Sequence, residues 1–405
     1  MGICRLSLLT SGAVMPSSDA AQRVRYDVPH RLPGLQRRKR YLISKYTDAC
    51  DLSTRASSAA QSTAPSPDID WDSLGFGLAN VADTMYVASI EADGTEWSGN
   101  LQPYGPLQLD PSAQVLNYGQ SVFEGMKAQR TAEGHIVLFR PDCNAERMQE
   151  GAKRLSMVAP STEQFVSAVE DVVRANASMV PPLGKGALYL RPLLMGTGPI
   201  LGLGPAPSYT FCIYCAAVGS YFKGGQLSPI HLKVDTEFHR SAPRGMGGTK
   251  AAGNYSPVLV TQLAAKKEGY SDVVYLDAKH DKYLEEVSSC NIFVKHGNVI
   301  STPPISGSIL PGVTRRSVIE LARSKGYEVK EEPVSIESAM EADEIFTTGT
   351  AVVLSAVGSL TYKGTRRDFG ENGEPTATAL ELYESLTGLQ QERIPDTFGW
   401  IHKVC

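Results

Sequence analysis

The stretch RGMGGTKAAGNY, Arg244 to Tyr255, sets Lys250 among residues of almost no bulk, with a phenol five positions on. A lysine amine becomes a covalent catalyst when burial or neighbouring cations pull its pKa toward neutrality. Small neighbours let a flat cofactor come close to the backbone. Read alone, the same stretch is more often a glycine loop carrying a solvated charge. The run YLEEVSSCNIFV places two carboxylates, Glu285 and Glu286, at the head of an apolar strand. Alternation points them to opposite faces, one outward and one inward. An inward carboxylate needs a partner, and a protonated pyridine nitrogen is one, as pyridoxal phosphate chemistry uses. The plain alternative is a solvated strand end.

Two further runs could hold anions. In SILPGVTRRSV, Pro311 and Gly312 turn the chain, and Val313 and Thr314 open a helix whose free N–H groups suit a phosphate. Arg147 in NAERM would add a planar guanidinium clamp. Taken singly, these are also an ordinary helix start and a solvated arginine. TTGTAVVL puts a Gly-Thr-Ala turn after a strand, offering backbone N–H groups to a carboxylate.

The elements that must position these groups alternate in type. MYVASI, HIVLFR, ALYLRPLLMG and YTFCIYCAAVGSYF read as strands, the last two apolar enough to be covered on both faces. NAERMQEGAKRLSM predicts a helix with Asn144 as its cap. STEQFVSAVEDVVRANASM predicts another, opened by a Ser161–Gln164 capping box, with Phe165, Val166, Val169, Val172 and Val173 on one face. KGGQLSP supplies a linker. Beyond it IHLKV, DVVYLD, NIFVK, NVIST and EIFTT interleave with helices from about Asn254 and from Thr314, and a final helix covers ALELYESLTGLQ. Interleaving without an internal repeat predicts a mixed α/β (α+β) fold, with a sheet in each half.

The bulk numbers suit a soluble globular enzyme: 405 residues, 42% apolar and 20% charged. No apolar run approaches the ~20 residues that span a bilayer. A net charge of −4 gives no footprint for nucleic acid. Seven scattered cysteines are not a disulfide scaffold. Cys212 and Cys215, three apart on a strand, point to opposite faces and read as buried thiols rather than zinc ligands. No metal site is expected. Residues 1–66 differ in kind, with ten Lys/Arg against four acids and a Ser/Ala/Thr/Pro tract at their end. That composition reads as an organelle transit peptide, or as an unstructured tail.

Together LNYGQSVFEGMKA, LFRPDCNAERM, LYLRPLLMGTG, GGTKAAGNYSP, LEEVSSCNIF, ILPGVTRRSV and FTTGTAVVLSAVG resemble the plant branched-chain amino-acid aminotransferases, fold-type IV enzymes of pyridoxal 5'-phosphate. The resemblance runs from about Asp68 to the C-terminus. It implies that Lys250 bonds covalently to the cofactor and shuttles the proton, that Tyr255 bonds its phenolic oxygen, and that Glu286 pairs with its ring nitrogen beside Ser289. It places the phosphate on Arg147 and the amides of Val313 and Thr314, near Thr350, and the substrate carboxylate on the Thr350–Ala351 turn. Tyr118, Phe123, Tyr189 and Tyr221 match the walls of an apolar side-chain pocket, and Arg191 matches the anchor for glutamate's distal carboxylate. Such walls bind aliphatic side chains by burial, at ~0.8 kcal/mol per CH₂.

The activity so implied is transamination between Leu, Ile or Val and 2-oxoglutarate by a homodimer, Tyr118 and the loop around Leu203 reaching the second copy's site. Within the same fold, D-amino-acid aminotransferase and aminodeoxychorismate lyase are the rivals; an inactive binding homologue is the rival of another class. Val352 and Ser355 stand where mammalian relatives carry a redox CxxC, so no thiol switch is expected. The expected division is a leader at 1–66, a small domain at 67–218, a loop at 219–228 and a large domain at 229–405. Plant relatives divide between plastid and mitochondrion, and the leader is read as plastid-directing, with the mitochondrion as alternative.

Overall fold

Strand-forming runs rich in β-branched and aromatic residues, with helices interspersed among them, fold into two sheets. The computed structural model describes residues 63–220, 227–370 and 373–405. The leader up to residue 62, part of the linker and Tyr221 lie outside the described residues. In chain order the first part contains β1 (Thr84–Glu91), β2 (Ser98–Pro103), α1 (Gln114–Tyr118), β3 (Ser121–Phe123), β4 (Met126–Arg130), β5 (Ile136–Phe139), α2 (Pro141–Arg154), α3 (Thr162–Ala175), β6 (Ala187–Gly196) and β7 (Ser208–Val218). The second contains β8 (Ile230–Val234), α4 (Val258–Lys267), β9 (Asp272–Leu276), β10 (Leu284–Val287), β11 (Asn291–His296), β12 (Val299–Thr302), α5 (Val313–Ser324), β13 (Glu328–Glu331), α6 (Ile336–Met340), β14 (Glu344–Gly349), β15 (Val353–Tyr362), β16 (Thr365–Asp368), α7 (Ala377–Gln390) and β17 (Ile401–Lys403).

The first sheet runs β17-β5-β4-β6-β7-β1-β2, with β3 also on β6. Helices α2 and α3 cover one face through Met148, Phe165, Val169, Val172 and Val173, all buried. The capping box at Ser161 and Gln164 forms as the sequence predicts. Asn144 is not a cap. The helix already starts at Pro141, whose fixed φ suits a first helical position, and Asn144 lies buried within it.

The second sheet closes on itself. Strands β10, β9, β8, β15, β14 and β11 pair in sequence, and β11 pairs back with β10, making a six-stranded barrel. Leu232, Val274, Ile292, Ile345 and Val357 fill one of its clusters. The covered wall explains a second departure: Glu285 and Glu286 are both buried, at 5% and 2% exposure, because the segment around Ser308 covers the face expected to meet water. Helix α4 begins at Val258, four residues later than expected, after a 3-10 turn over Ala252–Asn254. Cys212 and Cys215 are buried on β7, and burial pushes their thiols up to about 11 and about 12.

One break in the first sheet matters for the site. Pro192 sits inside β6, where it has no N–H to give a partner strand. At that level the partner changes from β3 to β4: Phe123 pairs with Leu193 and Met126 with Leu190, and the Glu124 N–H donates to Pro192 O at 2.8 Å. Gly125 fits there because a Cβ would stand 2.2 Å from the Tyr189 hydroxyl.

Candidate active site

Lys250 follows a chain segment pressed hard against its neighbours. A Cβ on Gly247 would stand 1.9 Å from Ser308 O, and Gly248 donates its N–H to Gly307 O at 2.8 Å. The smallness of this run therefore serves close backbone packing. Beyond it, the Phe123 N–H donates to Lys250 O at 3.1 Å, fixing the lysine to the break in the first sheet. The 3-10 turn after Ala251 brings the Tyr255 hydroxyl to 3.3 Å from Lys250 Nζ.

The part-buried ammonium lies 4.7 Å from the Phe123 ring centre and 5.2 Å from that of Tyr255. Burial, with the Arg147 charge second, brings its pKa down to about 8. Tyr255 is pushed the other way, to about 12, chiefly by burial. A lysine in this state is poised as a nucleophile and a proton acceptor.

Glu286 is held on one oxygen more firmly than on the other. Oε1 accepts from Arg240 Nη1 at 2.6 Å and from the Leu310 N–H at 3.0 Å; Oε2 has only Asn291 Nδ2, at 3.4 Å. Burial raises its pKa to about 7 against the pull of Arg240. Arg240, whose side chain is 1% exposed, also lies over the Tyr255 ring and has a buried Nη2 without a partner. No sequence spacing pointed to Arg240, which is 46 residues from Glu286.

Arg147 stands on α2 facing the start of α5. Nε and Nη2 grip both oxygens of Glu124 at 2.8 and 2.7 Å, and Nη1 donates to Pro311 O at 3.1 Å. Asn144 Nδ2 also donates to Glu124, a carboxylate with no exposure at all. Fixed in this way, Arg147 keeps an N–H on each terminal nitrogen for an anion. It lines a cavity of about 710 Å³ together with Thr249, Gly312, Val313 and Arg316. A smaller cavity of about 30 Å³ brings Val313, Thr314 and Thr350 together.

On the other side, Arg191 lies 5.0 Å from the Phe123 ring centre and 5.6 Å from that of Tyr189, with Nε buried and unpartnered. Phe76 meets Tyr189 edge-on at 5.3 Å. The structure thus gathers Lys250, Tyr255, Glu286, Phe123, Arg147, Arg191 and Tyr189. Ser289 is exposed beside Cys290. Tyr118 is apart, 48% exposed, its hydroxyl on Leu201 O. Glu124 and Arg240 were missed; the one available signal was a carboxylate inside the apolar run VFEGM.

Residues 121–360 match the amino-transferase class IV family. The chloroplastic branched-chain-amino-acid aminotransferase 5 of Arabidopsis thaliana is 56% identical over 333 residues, 82% of this chain and 80% of that one. The chain belongs to the class IV aminotransferases. Its fold is shared with the crystal structure of the Escherichia coli branched-chain amino acid aminotransferase, at a TM-score of 0.69 and 28% identity over 80% of this chain and 100% of that one. A T.th. branched-chain amino acid aminotransferase, solved with pyridoxamine 5'-phosphate, matches at 0.69 and 27% identity, over 80% and 99%. The donor set of this aminotransferase suits such a group: a poised amine, an interior carboxylate with an undersatisfied oxygen, and an arginine facing a helix start. Among the described residues, no cluster of His, Cys, Asp or Glu could hold a metal, and no helix is long and apolar enough to cross a membrane.

Proposed function

We propose that this aminotransferase exchanges amino groups between branched-chain L-amino acids and 2-oxoglutarate, with pyridoxal 5'-phosphate as cofactor. The observation that carries the reading is Arg191 lying over Phe123 and Tyr189 with an unpartnered Nε. Aromatic walls take an aliphatic side chain, and the guanidinium takes the distal carboxylate of glutamate, so one pocket serves both substrates in turn. Tyr221, and Tyr118 reaching in from a second copy, complete the proposed walls.

In this reading Lys250 carries the cofactor, Tyr255 holds its phenolic oxygen, and Glu286 Oε2 receives its ring N–H near Ser289. Arg147, Thr350 and the N–H groups of Val313 and Thr314 hold its phosphate. When bound, the cofactor supplies an aldehyde carbon for the amine exchange and a ring that accepts electron density from Cα. The chain's own work is to place and move protons. Lys250 Nζ, its pKa drawn down to about 8, takes the Cα proton in its unprotonated form and gives it back on the cofactor side. The Thr350–Ala351 turn orients the substrate by its α-carboxylate.

We assign residues 67–218 and 229–405 to two domains joined by 219–228, with β17 reaching back to β5. A homodimer is part of the same proposal: Leu201 and Leu203 stand 90% and 83% exposed beside Tyr118, placed to meet a second copy. Residues 1–66 are proposed to direct the protein to the plastid, and a fluorescent fusion of that segment would report plastid or mitochondrial import. The functional test is a substrate panel. L-leucine, L-isoleucine and L-valine should each sustain turnover with 2-oxoglutarate. Faster turnover of D-alanine or aminodeoxychorismate would reject the assignment.

A further inference from the structure

Lys127 is a cation that the transamination chemistry leaves unused. It sits on β4 and lies between the cavity of about 30 Å³ and another of about 220 Å³. Its Nζ donates to Ala351 O at 2.6 Å, reaching from the first sheet to the β14–β15 turn of the second. Among the described residues no carboxylate pairs with it, and burial alone brings its pKa down to about 8. A part-buried ammonium without a counter-ion carries a desolvation cost, so packing gives no reason for a lysine there. Leucine or methionine would fill the same space without that cost.

The turn it reaches is itself strained. Val353 has φ +64°, a left-handed conformation that a β-branched residue avoids, and the Leu354 N–H closes on Val352 O at 2.9 Å. Conformations of this kind persist only where surrounding contacts hold them. The bond to Ala351 O is such a contact. It also polarises the peptide group whose other end is the Val352 N–H, strengthening that donor toward an anion. We propose that Lys127 is a positioning residue for the substrate α-carboxylate, pinning the strained Thr350–Val353 turn and setting a positive charge behind it. This rests on the reading that the turn receives the carboxylate.

The test uses holoenzyme carrying Lys127→Met, Lys127→Gln or Lys127→Arg. Calorimetry reads the Kd of 4-methylvalerate, which has leucine's carboxylate and side chain but no amine to react. Steady-state kinetics reads KM and kcat for L-leucine and 2-oxoglutarate. Loss of the charge should raise Kd and both KM values about ten-fold, the size of one charged hydrogen bond, while kcat stays within about two-fold. Lys127→Arg should recover most of the affinity, and the visible band of the lysine-bound cofactor should not move. Unchanged Kd and KM in Lys127→Met, beside an active wild type, overturns the inference and leaves the function standing. Failure of both uncharged variants to fold, with Lys127→Arg folding, would make Lys127 a structural residue and overturn it as well. A wild type that neither binds 4-methylvalerate nor turns over L-leucine removes both readings.

Discussion

Lys250 owes its state to three neighbours of different origin: the rings of Phe123 and Tyr255, the Arg147 charge, and withdrawal from water. Withdrawal from water and the Arg147 charge disfavour the ammonium and outweigh the attraction of the two ring faces for it. The amine should therefore lose its proton near pH 8 rather than near the ordinary 10.5. Below that pH it is mostly protonated and unreactive, so the rate at which apoprotein captures pyridoxal 5'-phosphate should rise with pH and be half-maximal at about pH 8. Stopped-flow absorbance measures it, and a rise centred near 10 contradicts the assignment. Lys250 was legible as a lysine among residues of little bulk, Glu286 as a carboxylate out of place in an apolar strand, and Tyr255 through the family resemblance. Arg240 and Glu124 were not. Their partners are brought to them only by the folded chain, Arg240 from a loop before the lysine and Glu124 from a break caused by a proline on another strand.

At the scale of elements, the segment before Lys250 and the segment around Ser308 behave as one unit because glycine lets their backbones touch. Gly247→Ala puts a Cβ 1.9 Å from Ser308 O, and Gly248→Ala puts one 3.0 Å from Gly307 O. The first should cost about 1–3 kcal/mol by overpacking, and the second distinctly less. Urea unfolding of the two variants gives the order, and equal or reversed losses would count against the packing. The long strands β6 and β7 and helix α3 were legible because their apolar periodicity is strong and the Ser161 cap marks the start of α3, whereas the ten-residue β15 was not read as a strand. The exposed strands β2, β13 and β16 were missed, since charged and polar edge strands carry no apolar alternation. The start of α2 was misread because Asn144 resembles a cap, whereas its amide serves Glu124 from inside the helix.

For the whole molecule, the C-terminal segment joins the two sheets. After α7 the chain returns as β17 to pair with β5, and Trp400 stacks on Phe398 at 4.1 Å and meets Phe139 edge-on at 5.7 Å. The Arg140 guanidinium lies over the same ring at 5.0 Å. Trp400→Ala should cost about 3–5 kcal/mol and loosen both sheets together. Denaturant unfolding measures it, and a loss below about 1 kcal/mol would show that the sheets hold without it. The mixed α/β class was readable from alternating elements, while the closure of the second sheet was not. Ring closure depends on the Glu286–Asn291 pairing, a single register contact that no periodicity announces.

The central claim is that Lys250 is the covalent centre of a transaminase. Single-turnover absorbance of the holoenzyme mixed with L-leucine tests it most directly, against Lys250→Ala shown to be folded by circular dichroism. The wild type should show a visible cofactor band that L-leucine bleaches and 2-oxoglutarate restores, and the variant should show neither the band nor turnover. A folded Lys250→Ala protein that kept both would contradict the account.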